Sequence, residues 1–134
     1  MPGKQNLKNR ARGNGGFTMI EVLVAVLVLA IGLLGVASVQ LLSMQQTSNA
    51  NLRSQATLYA QDMAEQLRAN AGNAMGASEL AAWKNLLKRD LGPNGDVTVN
   101  VASSVATITI KWREKDSFAA DKYTDHELEM KARL

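Results

Sequence analysis

The longest hydrophobic stretch of the chain runs from Val22 to Val39 and contains no charged side chain. Glu21 directly precedes it, and the next charge along the chain is Arg53. At about 1.5 Å per residue, this stretch spans roughly 27 Å as a helix, close to the ~30 Å hydrocarbon core of a bilayer. Together with the flanking apolar residues, the pattern predicts a transmembrane helical half over residues 17–44.

The residues that follow keep the helical period but become amphipathic. Neither proline nor glycine occurs between Gln45 and Asn70. The sequence therefore predicts one long N-terminal helix over residues 17–71, broken by Gly72 and Gly76. Its second half needs another layer to pack on. The apolar side chains that recur there at helical spacing are Leu52, Ala56, Tyr59, Ala60, Met63 and Leu67.

A small αβ head is predicted for residues 72–134. Ser78 is a candidate N-cap for a short helix that runs to Leu91, and Gly92-Pro93 follows as a stop signal. Leu80, Trp83, Leu87 and Leu91 would share one stripe of this helix.

After the short helix, apolar and polar residues alternate with a period of two over 97–101, 106–112 and 128–134. These runs predict about three short antiparallel strands, the first two joined as a hairpin through Ser103-Ser104. The segment from Lys111 to Tyr123 is predicted to be a charged, solvated connection. The fold class is therefore α+β, with the apolar face of the sheet packed on the long helix.

The positive charge is concentrated at the N-terminus. The 134 residues carry a formal charge of +3, but Lys4, Lys8, Arg10 and Arg12 give residues 1–16 a charge of +4 without any acid. The rest holds 11 of the 15 basic side chains against all 12 acidic ones. No clustered basic surface is evident, so we expect no direct nucleic-acid partner. Basic residues beside a membrane helix favour a cytoplasmic N-terminus.

Few side chains suited to catalysis are present. The chain has no cysteine, which excludes thiol chemistry and Cys-based zinc sites. The chain has one histidine, His126, and a single histidine cannot supply the ligands of a His-based metal site. His126 is expected at the surface. Trp83 and Trp112 are expected to pack in the core. We therefore expect no cofactor, no metal and no enzymatic activity.

The small residues that could mark a processing site, Gly15-Gly16, come before the hydrophobic stretch. An ordinary secretory signal has its cleavage site after that stretch. Cleavage at Gly16 would instead leave the hydrophobic helix in the mature protein. Two other interpretations are a plain single-pass anchor and an ordinary signal peptide cut after Ala37. Glu21 disfavours the latter because it interrupts the approach to the apolar region.

The run Gly16-Phe17-Thr18-Met19-Ile20-Glu21, continued by Val22-Leu23-Val24-Ala25, resembles the N-terminus of proteins with class III signal peptides. These are the type IV pilins and the type II secretion pseudopilins. Residues 30–37 and 64–70 resemble the minor pilins known as type IV pilus modification proteins, the PilV group. The specific resemblance covers about residues 13–70, and the head resembles the family only in outline.

The resemblance implies a processing and assembly pathway. Prepilin peptidase would remove the leader, residues 1–16, by cutting between Gly16 and Phe17, and Phe17 would then be N-methylated. Glu21 would serve assembly, its carboxylate pairing with the amino-terminal charge of a neighbouring subunit. A charge at the edge of a membrane segment is costly unless it is paired, so this role is physically reasonable.

Two departures from the major pilins favour a minor component. Major pilins usually carry a proline midway in the apolar segment, where this chain has Ser38, and they usually close a C-terminal loop with a disulfide, which a chain without cysteine cannot form. The implied function is a non-enzymatic minor pilin that helps initiate or modify pilus assembly. The alternatives are a type II secretion pseudopilin and, from another class, a periplasmic binding or enzymatic domain behind an ordinary signal peptide.

The implied location is the inner membrane, with a cytoplasmic N-terminus and a periplasmic head, and then the pilus at the cell surface. The implied partners are prepilin peptidase, other major and minor pilins, the inner-membrane assembly machinery, and membrane lipid before assembly. Effects on adhesion or twitching motility would follow indirectly.

Overall fold

The computed structural model describes Gly16, residues 18–118 and residues 122–134. It is an α+β, pilin-like fold with one long N-terminal helix, one short helix and a three-stranded antiparallel sheet, as the sequence predicts. The chain separates into two compact units, one through Ser38 and one from Val39 to Leu134. The elements are α1 (Met19–Ala69), α2 (Ala77–Asp90), β1 (Asp96–Ala102), β2 (Val105–Lys115) and β3 (Tyr123–Arg133).

Helix α1 ends in a left-handed turn just before the predicted break. Ala71 and Gly72 have φ values of 52° and 77°. The Gly72 N–H donates to the Leu67 carbonyl at 2.9 Å, and the Ala71 N–H donates to the Arg68 carbonyl at 3.1 Å. This pair of bonds satisfies the last helical carbonyls in a Schellman arrangement. Ala71 occupies the left-handed position that ends α1, and Gly72 adopts a left-handed backbone directly after it, which glycine does at little cost.

The predicted N-cap of the short helix was wrong. Helix α2 begins at Ala77, and Gly76 occupies the N-cap position with extended backbone and no side-chain cap hydrogen bond. The Gly76 carbonyl accepts from Leu80 N–H at 2.9 Å, so the first helical bond forms two residues before the Ser78 cap would allow. Ser78 therefore lies within the first turn. A glycine N-cap is almost as favourable as one with a side-chain oxygen.

The sheet is a meander of order β1-β2-β3. The β1–β2 hairpin turns through Ser103 and Ser104, whose φ values of 50° and 61° suit the tight two-residue connection that twisted strands prefer. Val97 lies opposite Ile110, and Ile110 lies opposite Leu128, so the apolar rows of the three strands share one face.

The predicted charged connection from Lys111 to Tyr123 was also wrong. Strand β2 continues through Lys115 and β3 begins at Tyr123, so only residues 116–122 connect them. The charged residues alternate across the sheet. Lys111 and Arg113 lie on the outer face and form ion pairs with Glu127 and Asp125 on β3, whereas the side chains of Trp112 and Glu114 are buried.

The core of this unit lies between α1, α2 and the apolar face of the sheet. Five residues of α1 are buried: Ala56, Ala60, Met63, Ala64 and Leu67. Three of these five are alanines spaced four residues apart, so they form a row of small side chains along one face of the helix, here called the alanine strip. The core residues of the other elements are Leu87, Leu91, Val97, Ala106, Ile108, Ile110, Trp112 and Ala132.

Replacing the central alanine of the strip tests the packing. We expect Ala60→Leu to lower the free energy of unfolding by about 1–3 kcal/mol, because Ala60 is fully buried and the added atoms have no space. The neighbouring substitution Gln61→Leu adds similar bulk at an exposed position and should have little effect. Urea unfolding of the full chain in detergent micelles measures both. Equal stabilities of the two variants would contradict the packing described.

Candidate functional site

Thr18 caps the start of α1, immediately after the predicted cleavage site. Its carbonyl accepts from the Glu21 N–H at 3.0 Å and from the Val22 N–H at 3.2 Å. Its hydroxyl also accepts from the Glu21 N–H, at 3.3 Å. Thr18 thereby satisfies N–H groups that have no partner within the first helical turn. The local sequence therefore starts the helix directly before the hydrophobic stretch.

Glu21 lies in this first turn. Its carboxylate is close to the helix N-terminus, where the aligned peptide dipoles favour negative charge. Glu21 is exposed, and among the residues that the structure describes no cation pairs with its carboxylate. It lines the end of a shallow apolar groove along one face of the helix, with Val22, Ala25, Val26 and Leu29. A carboxylate next to an apolar stripe suits a second apolar helix that carries a cation.

The apolar half of α1, residues 19–44, exposes most of its large side chains in the part of the chain that the structure describes. Its exposed large side chains retain between 50% of their surface, at Val22, and 85%, at Met19. The helix is long and apolar enough to cross a membrane. Leaving this surface in water is unfavourable at roughly 25 cal/mol per Å². Lipid or other apolar helices must therefore cover it.

The predicted processing residues are only partly within the described chain. Gly16 is exposed, lies outside any helix or strand, and has no atom within 4 Å of where a Cβ would stand. It is therefore sterically open. Phe17 and the leader residues 1–15 lie outside the described residues. The structure thus places Gly16 and Glu21 near the start of α1 and is silent on the bond between Gly16 and Phe17.

A second constellation, which the sequence analysis missed, surrounds the buried Glu114 carboxylate. Arg53 of α1 binds it in a bidentate manner, with Nε 2.7 Å from Oε1 and Nη2 2.8 Å from Oε2. The Trp112 indole N–H donates to Oε1 at 2.9 Å. His126 Nε2 lies 3.5 Å from Oε2, and its ring stacks on Trp112 with centroids 6.0 Å apart. The His126 side chain keeps 33% of its surface exposed, so it lies at the surface as expected but is partly covered by these contacts.

The alternation of inward and outward residues along β2 already places Glu114 on the buried face of the sheet. The inward row Ala106, Ile108, Ile110 and Trp112 reaches Glu114 after one more step of two residues. A carboxylate is tolerated at that inward position because Arg53 and Trp112 supply its hydrogen bonds. The hydrogen bonds from Arg53 and Trp112 hold the pKa of Glu114 below its usual value, against the opposite effect of burial. The pKa of Arg53 is raised by the same contact.

A further polar contact joins α2 to α1. Asp90 is bound by Arg89 and accepts a hydrogen bond from the Tyr59 hydroxyl, and these contacts lower the pKa of Asp90 to about 2. The Tyr59 ring meets Trp83 edge to face at 6.0 Å. Trp83 in turn donates from its indole N–H to Gln66 Oε1 at 3.1 Å. These contacts hold α2 against α1.

Both polar clusters join elements of the head. The Glu114 carboxylate accepts two hydrogen bonds from Arg53 of α1 and one from Trp112 of β2. Within the described ranges, no group of three or more His, Asp or Glu side chains is placed to hold a metal ion. The apolar half of α1, with Glu21 at its start, is therefore the candidate functional site.

The lowered pKa of Glu114 predicts a specific pH dependence. Its pKa is lower in the folded than in the unfolded state, so its stabilisation is complete above the unfolded value of about 4.5. That stabilisation is lost as the pH falls from there through the folded pKa. At pH 7 we expect Glu114→Gln to lower the free energy of unfolding by about 1–3 kcal/mol. The difference in the free energy of unfolding between this variant and the unchanged protein should narrow below pH 4.5.

Urea unfolding of the full chain in detergent, between pH 3 and pH 7, measures this difference in the free energy of unfolding. Glu127→Gln is the matched control, since the Glu127 carboxylate is exposed and lies 3.9 Å from Lys111 Nζ. Such a surface pair contributes about 0–1 kcal/mol. If the difference between Glu114→Gln and the unchanged protein stayed constant over the whole pH range, the Glu114 carboxylate would not titrate as described.

Comparison with known proteins identifies the N-terminal segment. Residues 11–37 match the family described as the prokaryotic N-terminal methylation motif. Neither the curated proteins nor the solved structures gave a significant match. The matched residues include the predicted cleavage site, the Thr18 cap, Glu21 and most of the apolar half of α1. The motif and the fold together indicate a type IV pilin-like, membrane-anchored substrate of prepilin peptidase, either a pilin or a pseudopilin.

Proposed function

We propose that this protein is a non-enzymatic minor pilin of a type IV pilus, of the PilV group, which helps initiate or modify pilus assembly. The observation that carries the proposal is the exposed apolar half of α1, which follows the methylation motif and has Glu21 at its start. Such a surface is stable in lipid as a precursor and against other pilin helices in a filament. The same surface therefore serves both states.

Processing comes first in this proposal. The basic leader holds the N-terminus in the cytoplasm while α1 spans the inner membrane once and the head lies in the periplasm. Prepilin peptidase hydrolyses the Gly16–Phe17 peptide bond, and the new amino group of Phe17 is methylated. The exposed Gly16, outside any regular element, is consistent with access by a peptidase.

Glu21 then sets the axial position of the subunit in the filament. Its carboxylate pairs with the amino-terminal charge of Phe17 on a neighbouring subunit, within packed apolar helices. A charge-assisted contact of this kind is strong where water is excluded, and an unpaired carboxylate there is costly. The partners are other major and minor pilins and the inner-membrane assembly machinery. Adhesion and twitching motility would change only through assembly.

The absence of cysteine and the Ser38 position favour a minor over a major pilin. The Ser38 hydroxyl donates to the Leu34 carbonyl at 2.9 Å, so its polar group is satisfied within an unbroken helix. A type II secretion pseudopilin is the second candidate, because the same motif marks both classes of prepilin-peptidase substrate. The neighbouring genes distinguish them: a set of pilus genes supports the first, and a secretion operon supports the second.

Mass analysis of the mature chain tests the processing step. The protein from the membrane fraction should begin at Phe17 and carry one added methyl group. The variant Gly16→Val should keep Met1, because a bulky side chain replaces the open position next to the cleaved bond. A mature chain that begins at Ser38 would instead indicate an ordinary signal peptide. An intact Met1 in the unchanged protein would also contradict the proposal.

Substitution of Glu21 tests its role in assembly. Glu21→Val should be processed as usual, but its incorporation into sheared pili should fall by roughly tenfold or more, since the lost contact to a charge is worth about 1.5–3 kcal/mol. Ser38→Val also replaces a polar by an apolar residue in the same helix, and it should be incorporated normally. Quantitative immunoblots of the pilus and membrane fractions measure both variants. Normal incorporation of Glu21→Val would refute the role.

A further inference from the structure

Strand β3 lies at an edge of the sheet, because the strand order is β1-β2-β3. In an antiparallel pair each residue directs its N–H and C=O to the same side, and successive residues alternate between the two sides. The Leu134 N–H donates to the Ser104 carbonyl at 2.9 Å, and the Lys122 carbonyl accepts from the Asp116 N–H at 2.8 Å. Even-numbered residues therefore face β2, and the odd-numbered residues of β3 face away from it.

The backbone of this edge is open between Asp125 and Lys131. In the part of the chain that the structure describes, the N–H and C=O groups of residues 125, 127, 129 and 131 have no hydrogen-bond partner on that side. At the next odd position, Arg68 Nε of α1 donates to the Arg133 carbonyl at 3.1 Å and closes the edge. Four residues thus present a row of free donors and acceptors.

The middle of this edge lacks the features that normally prevent strand pairing. Natural edge strands are protected by proline, by bulges or by charges that point inward. Strand β3 contains neither proline nor glycine, and its register with β2 is unbroken from Tyr123 to Arg133. The inward side chains of Leu128 and Met130 are half-buried and pack against the core. A further strand would cover their remaining surface.

The outward side chains restrict which strand can be added. Asp125, Glu127 and Glu129 keep 76%, 68% and 55% of their side-chain surface exposed. Opposite charges on facing residues stabilise neighbouring strands, and like charges destabilise them. Each of these carboxylates has a cation near it in its own chain, but a carboxylate has two oxygens and accepts several hydrogen bonds. The edge therefore favours a strand with Lys or Arg in its outward row.

Strand β2 shows which sequence pattern β3 accepts. Its inward residues oppose apolar residues of β3, and its outward basic residues oppose acidic ones. The facing pairs are Ile108–Met130, Ile110–Leu128, Lys111–Glu127 and Arg113–Asp125. The free edge presents the same two rows of β3 side chains. An antiparallel segment with the pattern of β2 would therefore complement this edge as well.

We propose that the free edge of β3 binds an extended segment of a partner protein, which runs antiparallel to β3 and alternates apolar residues with Lys or Arg. Main-chain hydrogen bonds to residues 125–131 provide the attachment, and the side chains on the two faces select the sequence. The contact involves the head alone. It goes beyond the proposed function, because it depends neither on processing nor on the apolar half of α1 and holds for a pilin and for a pseudopilin.

Hydrogen exchange of the full chain in detergent micelles, followed by NMR, tests the contact. The probe is a synthetic peptide with the sequence of residues 105–115, and in the control peptide Glu replaces Lys111 and Arg113. At about ten times its Kd, the probe should slow exchange of the amides of residues 127, 129 and 131 by about tenfold. The amides of residues 128 and 130 face β2, and their exchange should stay unchanged.

Variants of the protein separate edge binding from other contacts. Glu129→Pro removes an N–H that faces away from β2, a position where an edge strand tolerates proline, and should abolish the protection at 127 and 131. Glu127→Lys combined with Glu129→Lys should weaken binding of the probe and strengthen binding of the control peptide, each by roughly tenfold. Asp62→Lys, the same reversal at an exposed position of α1, should change neither. Unchanged exchange at 128 and 130 shows that each variant keeps the β2–β3 pairing.

Three outcomes would overturn the inference. Unchanged exchange at 127, 129 and 131 with the probe at about 1 mM shows that the edge does not accept a strand. Equal protection by both peptides, or protection that survives Glu129→Pro, shows that the peptide binds without the proposed pairing. Protection of the same amides without peptide, rising with protein concentration, assigns the edge to a second copy of this chain instead of a partner protein.

Discussion

The head depends on the contact between the alanine strip of α1 and the apolar face of the sheet. Each layer has one apolar face, and neither could stay folded with that face in water. Ala56, Ala60 and Ala64 are buried in the same core cluster as the inward residues of the strands, and Met63 and Leu67 add larger buried side chains from the helix. The sheet has only three strands, so this helix provides a large part of its core. Secondary structure in this unit is thus stabilised mainly by packing.

The same helix has the opposite requirement in its first half. Residues 19–44 expose apolar side chains in every direction, and the surface needs lipid or other helices. A single α-helix can meet both needs because its backbone hydrogen bonds are satisfied internally in either environment. The change from one half to the other is made by side-chain pattern alone, without a break in α1. An assembly helix and a scaffold for a small domain are thereby combined in one element.

Charged side chains position the layers rather than drive the folding. Glu114 occupies an inward position that an apolar residue could fill, and its two oxygens are held by Arg53 and Trp112. Such a pair contributes direction more than net stability, because desolvation offsets much of its Coulombic gain. Here it aligns β2 with α1, and Asn49 adds a contact to the last residue of the strand. The Lys115 end of β2 therefore lies beside Asn49 of α1.

The elements with local signals were predictable from the sequence. The uniform apolar run, the helical period through Leu67, the glycine stop and the period-two strands each depend on neighbouring residues, and the predictions for Gly16 and Glu21 rest on the same local order. The remaining features depend on contacts between residues that are distant in sequence. Lys111–Lys115 appeared as a charged loop because the sequence does not show that cross-strand partners cover the outer face, or that Arg53, 61 positions earlier, neutralises Glu114. The placement of His126 against Trp112 and the position of Lys115 beside Asn49 likewise depend on long-range contacts. A run of charged residues indicates exposure to solvent only when no residue distant in sequence pairs with those charges. Only the folded chain brings such partners together.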